Sequence, residues 1–95
     1  MGVREAKVET HLKKEVERLG GVSRKWVSPG RTGVPDQIII FNGKIVFIEV
    51  KTTDGIRSSD QAREHERLTE AGASVITVYG KKEVDSFIEF LEAWR

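Results

Sequence analysis

Two carboxylates and a lysine stand at spacings that could bring them together for hydrolytic chemistry. Asp36 precedes an apolar run, Glu49 and Lys51 close a second one, and Asn42-Gly43 separates the two runs. An Asn-Gly pair in this setting predicts a β-hairpin with a two-residue type I′ turn, because both residues tolerate a positive φ. Counted outward from that turn, Asp36 lies opposite Glu49, and Lys51 is on the same face.

A divalent cation is the natural partner of such a pair. Two directly opposed carboxylates destabilise a sheet unless a charge offsets their repulsion, and hard cations prefer oxygen ligands. Lys51 would add positive charge beside an attacking water or a phosphate. The alternative is a surface Asp/Glu pair with a lysine salt bridge. The runs 38–41 and 45–48 are apolar on both faces, which predicts a central hairpin and makes charges at its end costly without a use.

Composition limits the class of protein. The chain has 95 residues, a formal net charge of +1 and no cysteine. This length predicts one domain with a modest core, and the lack of cysteine excludes disulfides and thiolate metal sites. The small net charge means that nucleic-acid binding must come from local patches. No apolar run approaches the ~20 residues of a membrane span, and no signal-peptide pattern opens the chain.

The remaining periodicity places the hairpin in an α/β domain of order α-β-β-β-α-β-α. Val8, Leu12, Val16 and Leu19 recur at helical spacing, and a Ser58/Gln61 capping box begins a polar second helix. A helix between strands predicts a β-α-β arrangement. The predicted helices cover residues 4–19, about 59–71 and about 82–94, and the predicted strands cover 23–28, 38–41, 45–48 and 74–79.

Several further residues have two interpretations. Glu5, Glu9 and Glu15 lie on or beside the buried stripe of the first helix, where an acid can reach the sheet end or simply face solvent. His65, amid glutamates and arginines, is interpreted as a surface residue. The loop 28–35 leads into Asp36 and must lie at the charged end of the hairpin.

The last helix has an apolar arc that is wider than one packing face needs. Its residues indicate either a deeper core or a subunit interface, and they include Phe87, Phe90, Leu91 and Trp94.

A family resemblance follows from these motifs. Asp36 after Pro35, followed by Glu49-x-Lys51, matches the P-D…(D/E)-x-K signature of a large nuclease superfamily. The chain also contains S-P-G-R-x-G-V-P-D at 28–36 and R-E-H-E-R-L at 63–68. With all of these motifs it resembles the virus-type replication–repair nuclease (VRR-NUC) domains, especially the small stand-alone phage and bacterial ones. The resemblance implies a single VRR-NUC domain over 1–95, with a restriction-endonuclease-like core in which helices flank a central mixed sheet.

The resemblance also implies roles for individual residues. Asp36 and Glu49 would hold Mg²⁺ or Mn²⁺ together with the backbone carbonyl of Val50, and Lys51 would be the catalytic lysine. Gln61 matches the family's helix glutamine.

The acid on the first helix is assigned by comparison with the similar archaeal junction resolvases. Their glutamate precedes the helix-ending glycine by the distance that separates Glu9 from Gly20, so Glu9 is preferred to Glu5. It would ligate the metal directly or through water.

The implied activity is metal-dependent hydrolysis of DNA, with a four-way junction as the expected substrate. A homodimer, formed through the last helix, would make paired cuts in the cytoplasm of a bacterium or a phage-infected cell. The alternatives are a flap- or nick-directed repair nuclease, a non-catalytic DNA-binding module, and a restriction-type endonuclease. Candidate contacts to the DNA backbone are Lys25, Arg31, Thr32, Arg57 and Arg63; for Arg31 and Thr32 the alternative is an ordinary polar loop.

Overall fold

The computed structural model describes residues 3–94 and confirms the predicted order of elements. The predicted boundaries differ from the observed ones by at most three residues, and the largest differences are at the ends of the first and third strands. The elements are α1 Val3–Arg18, β1 Val22–Lys25, β2 Gln37–Phe41, β3 Lys44–Lys51, α2 Ser59–Glu70, β4 Val75–Tyr79 and α3 Gly80–Glu92.

The four strands form one mixed sheet in the order β1-β2-β3-β4. The first three are antiparallel neighbours, whereas β3 and β4 are parallel. Parallel strands need a crossover connection, and α2 lies within it. The β2–β3 hairpin therefore occupies the middle of the sheet, as its sequence predicts.

The hydrophobic core lies between one face of the sheet and helices α1 and α3. The predicted apolar stripe is confirmed, because Val8, Leu12 and Val16 on α1 and Leu19 directly after it are at most 8% exposed. Ile39, Ile48 and Val50 meet them from the sheet. Burial of these side chains is the main stabilising contribution, at roughly 1.5–3 kcal/mol for each large one.

The other face of the sheet is covered at one end only. Helix α2 packs against β4 at the end of the sheet where β4 pairs with Glu49 and Lys51 of β3. Toward the Asn-Gly turn, Ile40 is 43% exposed and Ile45 is 55% exposed. The hairpin is central in the sheet, but the expectation that its apolar runs are buried on both faces is wrong near the turn, because α2 is too short to reach there.

The apolar arc of α3 is largely core. Phe87 and Leu91 are 5% and 0% exposed, so they are not available to another subunit in this fold. Phe90 is 46% exposed and contacts the partly buried Trp94, with ring centroids 4.5 Å apart. Within the described residues, no helix combines the length and the apolar character needed to cross a membrane.

Candidate active site

The Asn-Gly turn sets the register of the site. Asn42 and Gly43 have φ values of 50° and 79°, as a type I′ turn requires. The ladder pairs Phe41 with Lys44 and continues outward to the pair formed by Gln37 and Ile48. The next residues outward are Asp36 and Glu49, which confirms the register predicted from the sequence.

Asp36, Glu49 and Lys51 converge at the open end of the hairpin. The backbone N–H of Val50 donates to Asp36 Oδ2 at 3.0 Å, which fixes the aspartate across the two strands. The Glu49 side chain is 2% exposed, and Lys51 Nζ lies 3.7 Å from Glu49 Oε2. A buried acid and an adjacent ammonium group are thus held by regular β structure and not by a mobile loop.

Burial and like charge together raise the pKa of Glu49 from its ordinary 4.5 to about 8. Loss of solvent is the largest cause, the charge of Asp36 is the next, and the charge of Lys51 acts in the opposite direction. A hydrogen bond with Asp36 and the more distant charge of Glu5 raise the pKa further. Without a cation, the Asp36–Glu49 pair therefore holds a proton at neutral pH.

Gln61 performs two tasks at the start of α2. Its Oε1 accepts from the Ser58 N–H at 2.9 Å, which completes the predicted capping box with the Ser58 hydroxyl. Its Nε2 donates to Glu49 Oε2 at 3.0 Å. The side chain thus connects the helix start to the buried carboxyl group.

The loop 28–36 is fastened to the same helix start. Gly33 has a φ of +85°, and a Cβ there would lie 2.5 Å from the Asp60 carbonyl oxygen. Only glycine permits this approach. The Thr32 hydroxyl donates to Asp60 Oδ2 at 3.4 Å, and Arg31 Nε lies 3.9 Å from Glu64 Oε1.

His65 lies beside this site, and its prediction as a surface residue is wrong. The residue is 4% exposed, with Nδ1 3.3 Å from Arg57 and Nε2 3.9 Å from Glu49 Oε1. Burial lowers the pKa of His65, and the charge of Arg57 lowers it further. The signal that could have found it is its position one helical turn after Gln61, on the stripe that faces the sheet.

The contacts of Glu5 and Glu9 do not decide which of them accompanies the Asp36–Glu49 pair. Glu9 Oε1 lies 3.5 Å from Lys25 Nζ, and Glu9 Oε2 is buried without a hydrogen-bond partner in the described part of the chain. Glu5 is near enough to raise the pKa of Glu49. The choice of Glu9 stays a prediction.

Each of the five residues predicted to contact the DNA backbone has a partner within the chain. Arg63 pairs with Asp60 at 2.7 Å, and the other four make the contacts described above. The side chains of Lys25, Arg31 and Arg63 are nevertheless 57%, 57% and 61% exposed. Exposed ion pairs of this kind contribute little to stability, so a phosphate can compete for the cationic groups.

The donor set fits a hard divalent cation. Glu49 Oε1 is buried and has no hydrogen-bond partner among the described residues, and the Asp36–Glu49 pair carries one proton more than ordinary carboxylates would at neutral pH. Within residues 3–94, no group of three or more histidine, aspartate or glutamate side chains is arranged around one metal position. Mg²⁺ commonly binds through one or two carboxylates and keeps several waters, so the Asp36–Glu49 pair suits it.

The sheet, its flanking helices and the Asp-Glu-Lys arrangement define the P-D…(D/E)-x-K class of nuclease fold. A solved structure described as a VRR_NUC domain superposes with a TM-score of 0.85, at 39% identity over 93% of this chain and 97% of that one. A second, described as a VRR_NUC domain protein, gives a TM-score of 0.77 over 100% of this chain and 93% of that one. At 19% identity, the second comparison shows the fold alone.

A sequence relative points to the same group. "Putative nuclease p44" from Acyrthosiphon pisum secondary endosymbiont phage 1 is 46% identical over 77 residues, which are 80% of this chain and 83% of the relative. No family model matches the sequence. The chain belongs to the VRR-NUC family of nucleases.

Proposed function

We propose that the protein is a metal-dependent, structure-specific DNA endonuclease that hydrolyses phosphodiester bonds. The observation that carries the proposal is the buried Glu49 opposite the partly buried Asp36, with Lys51 beside them. The Asp36–Glu49 pair keeps a proton at neutral pH because too little positive charge lies beside it. A divalent cation can replace that proton. Membership of a nuclease family supports a hydrolytic use of that cation.

Asp36, Glu49 and the backbone carbonyl of Val50 would hold Mg²⁺ or Mn²⁺. Such an ion polarises a phosphate and lowers the pKa of a bound water. The Lys51 ammonium, 13% exposed, offsets the negative charge that develops on the phosphate or orients the attacking water. Gln61 keeps Glu49 oriented through its amide donor. Glu9 contributes directly or through a water molecule.

The DNA backbone is contacted by cationic and polar groups around this end of the sheet, which are Lys25, Arg31, Thr32, Arg57 and Arg63. The loop 28–36 and the start of α2 carry most of them. Phosphate contacts position a duplex but do not read its sequence. Recognition therefore rests on DNA shape.

The preferred substrate in this proposal is a four-way junction, cut by a homodimer. One chain provides one site, whereas resolving a junction needs cuts in two strands, and a two-fold dimer provides two related sites. Two exposed apolar surfaces are available for pairing. Among the described residues, one is Phe90 with the partly buried Trp94, and the other is Val22, Ile40 and Ile45 on the uncovered face of the sheet near the Asn-Gly turn. DNA cleavage would take place in the cytoplasm of a bacterium or a phage-infected cell.

Cleavage of a panel of labelled DNAs tests the proposal. The panel contains a four-way junction, a 5′ flap, a nicked duplex and an intact duplex, each with Mg²⁺ and with EDTA, and Lys51→Ala serves as the inactive control. We expect Mg²⁺-dependent cuts in the junction. If the flap or the nicked duplex is cut and the junction is not, the junction claim fails and a repair nuclease replaces it. No cleavage of any substrate with Mg²⁺ or Mn²⁺ refutes catalysis.

A further inference from the structure

His65 is a buried polar side chain that the proposed chemistry does not use. Its ring lies between Arg57 and Glu49, on the face of α2 that meets the sheet. Its Nε2 and Glu49 Oε1 are both buried, and among residues 3–94 neither atom has a partner at hydrogen-bond distance. The backbone of Gly33 is a further hydrogen-bonding group beside the ring. Buried polar atoms in proteins are nearly always hydrogen-bonded. A donor and an acceptor that lie 3.9 Å apart in the interior without partners therefore suggest that they interact when the site is in use.

The tautomer of His65 follows from its other nitrogen. A guanidinium group can only donate, so the 3.3 Å contact between Arg57 and Nδ1 favours the tautomer in which Nδ1 accepts and carries no proton. The proton of the neutral ring is then on Nε2, which points toward Glu49 Oε1. A hydrogen bond needs the two atoms to approach by about 1 Å, to near 2.9 Å.

We infer that His65 is a positioning residue that fixes the Glu49 carboxylate for cation binding. Gln61 holds one carboxylate oxygen at 3.0 Å, and His65 Nε2–H donates to the other. Each oxygen has a second lone pair, so Glu49 can accept both hydrogen bonds and still ligate a cation. The inference rests on the proposed cation site at Asp36 and Glu49.

The first measurement concerns the tautomer and needs no metal. Side-chain ¹⁵N shifts of metal-free protein at pH 7.5 report which ring nitrogen carries the proton. The sequence has two histidines, so the His65 signals are the ones lost in His65→Leu. We expect a proton on Nε2 and none on Nδ1. The reverse tautomer overturns the inference, because Nε2 would then have no proton to donate.

The second measurement is Mn²⁺ binding by calorimetry, together with cleavage kinetics. Loss of a group that orients a metal ligand typically costs 10–100-fold in affinity or activity. His65→Leu should bind Mn²⁺ at least about tenfold more weakly and show a matching loss in kcat, with KM for DNA within about twofold because the ring is buried. His65→Gln places an amide donor near the Nε2 position and should restore most of the affinity.

The matched control is His11→Leu, which removes the other imidazole. His11 pairs with Asp85 between α1 and α3, on the opposite side of the sheet, and the variant should bind Mn²⁺ as the wild type does. Wild-type affinity in His65→Leu, or a His65→Gln variant as weak as His65→Leu, contradicts the inference.

Further outcomes separate this inference from the proposed function. If His65→Leu does not fold, His65→Asn is compared with His65→Gln. The asparagine amide lies near the Nδ1 position and the glutamine amide near the Nε2 position, so equal Mn²⁺ affinities of the two variants refute the role of Nε2. If wild-type protein binds Mn²⁺ in a His65-dependent way but cuts no DNA, the positioning role stands and the nuclease proposal fails. If wild-type protein binds no Mn²⁺, both fail.

Discussion

Replacing Glu49 with glutamine should stabilise the metal-free protein at neutral pH. The folded protein holds this carboxyl group at a pKa of about 8, whereas its ordinary value is 4.5. A pKa that is raised by folding contributes stability below pH 4.5, and that contribution is lost as the pH rises toward 8. Glutamine has the same shape, carries no charge and still offers Asp36 a hydrogen-bond donor. The variant should therefore not lose stability as the pH rises from 4.5 to 8.

The size of the effect follows from the shift. Because one pKa unit corresponds to about 1.4 kcal/mol, wild-type stability should fall by about 3 kcal/mol between pH 4.5 and pH 7. Glu49→Gln should match the wild type near pH 4 and exceed it by up to that amount at pH 7. For a domain of this length, such a gain corresponds to an increase in Tm of roughly 10–20 °C.

Urea unfolding in EDTA, repeated from pH 4 to pH 9, measures the effect. The matched control is Glu64→Gln on α2, which changes a glutamate that is also buried but is paired with Arg67 at 3.0 Å. That variant should lose stability and keep the wild-type pH dependence. If Glu49→Gln is strongly destabilised at pH 7, or follows the wild-type pH profile, the carboxylate repulsion derived from the structure is wrong and the pair is structural.

The remaining predictions concern activity, metal binding and assembly. Lys51→Ala should reduce cleavage at least about 100-fold while leaving urea unfolding and most DNA binding intact; near wild-type cutting rules out a catalytic role. Glu9→Ala should lose more activity than Glu5→Ala at matched folding, and the opposite ranking reverses the choice of acid. Mn²⁺ binding at pH 7 should release a proton and tighten with rising pH, as calorimetry in buffers of different ionisation enthalpy can measure. Sedimentation at micromolar concentration should detect a dimer that Phe90→Glu or Ile45→Glu weakens, whereas a strict monomer removes the dimer proposal.

The sequence by itself determined the register of the site, because the information is local. Asn42-Gly43 requires one type of turn, and a two-residue turn leaves one pairing of the strands. The chemistry of the turn therefore suffices to place Asp36 opposite Glu49. The capping box at Ser58 and Gln61 is local in the same way, and the helical periodicities identified the elements and most of the core.

Tertiary structure alone decided what covers each surface. His65 has glutamates and arginines as neighbours in sequence, but it is buried because α2 lies over the charged end of the sheet. Ile40 and Ile45 are as apolar as core residues, yet they are exposed because the same helix ends before the turn. Glu9 pairs with Lys25 because β1 runs beside α1, a contact between elements that periodicity cannot locate. Burial depends on which elements meet in space, and a chain's local pattern specifies its own faces but not what will lie against them.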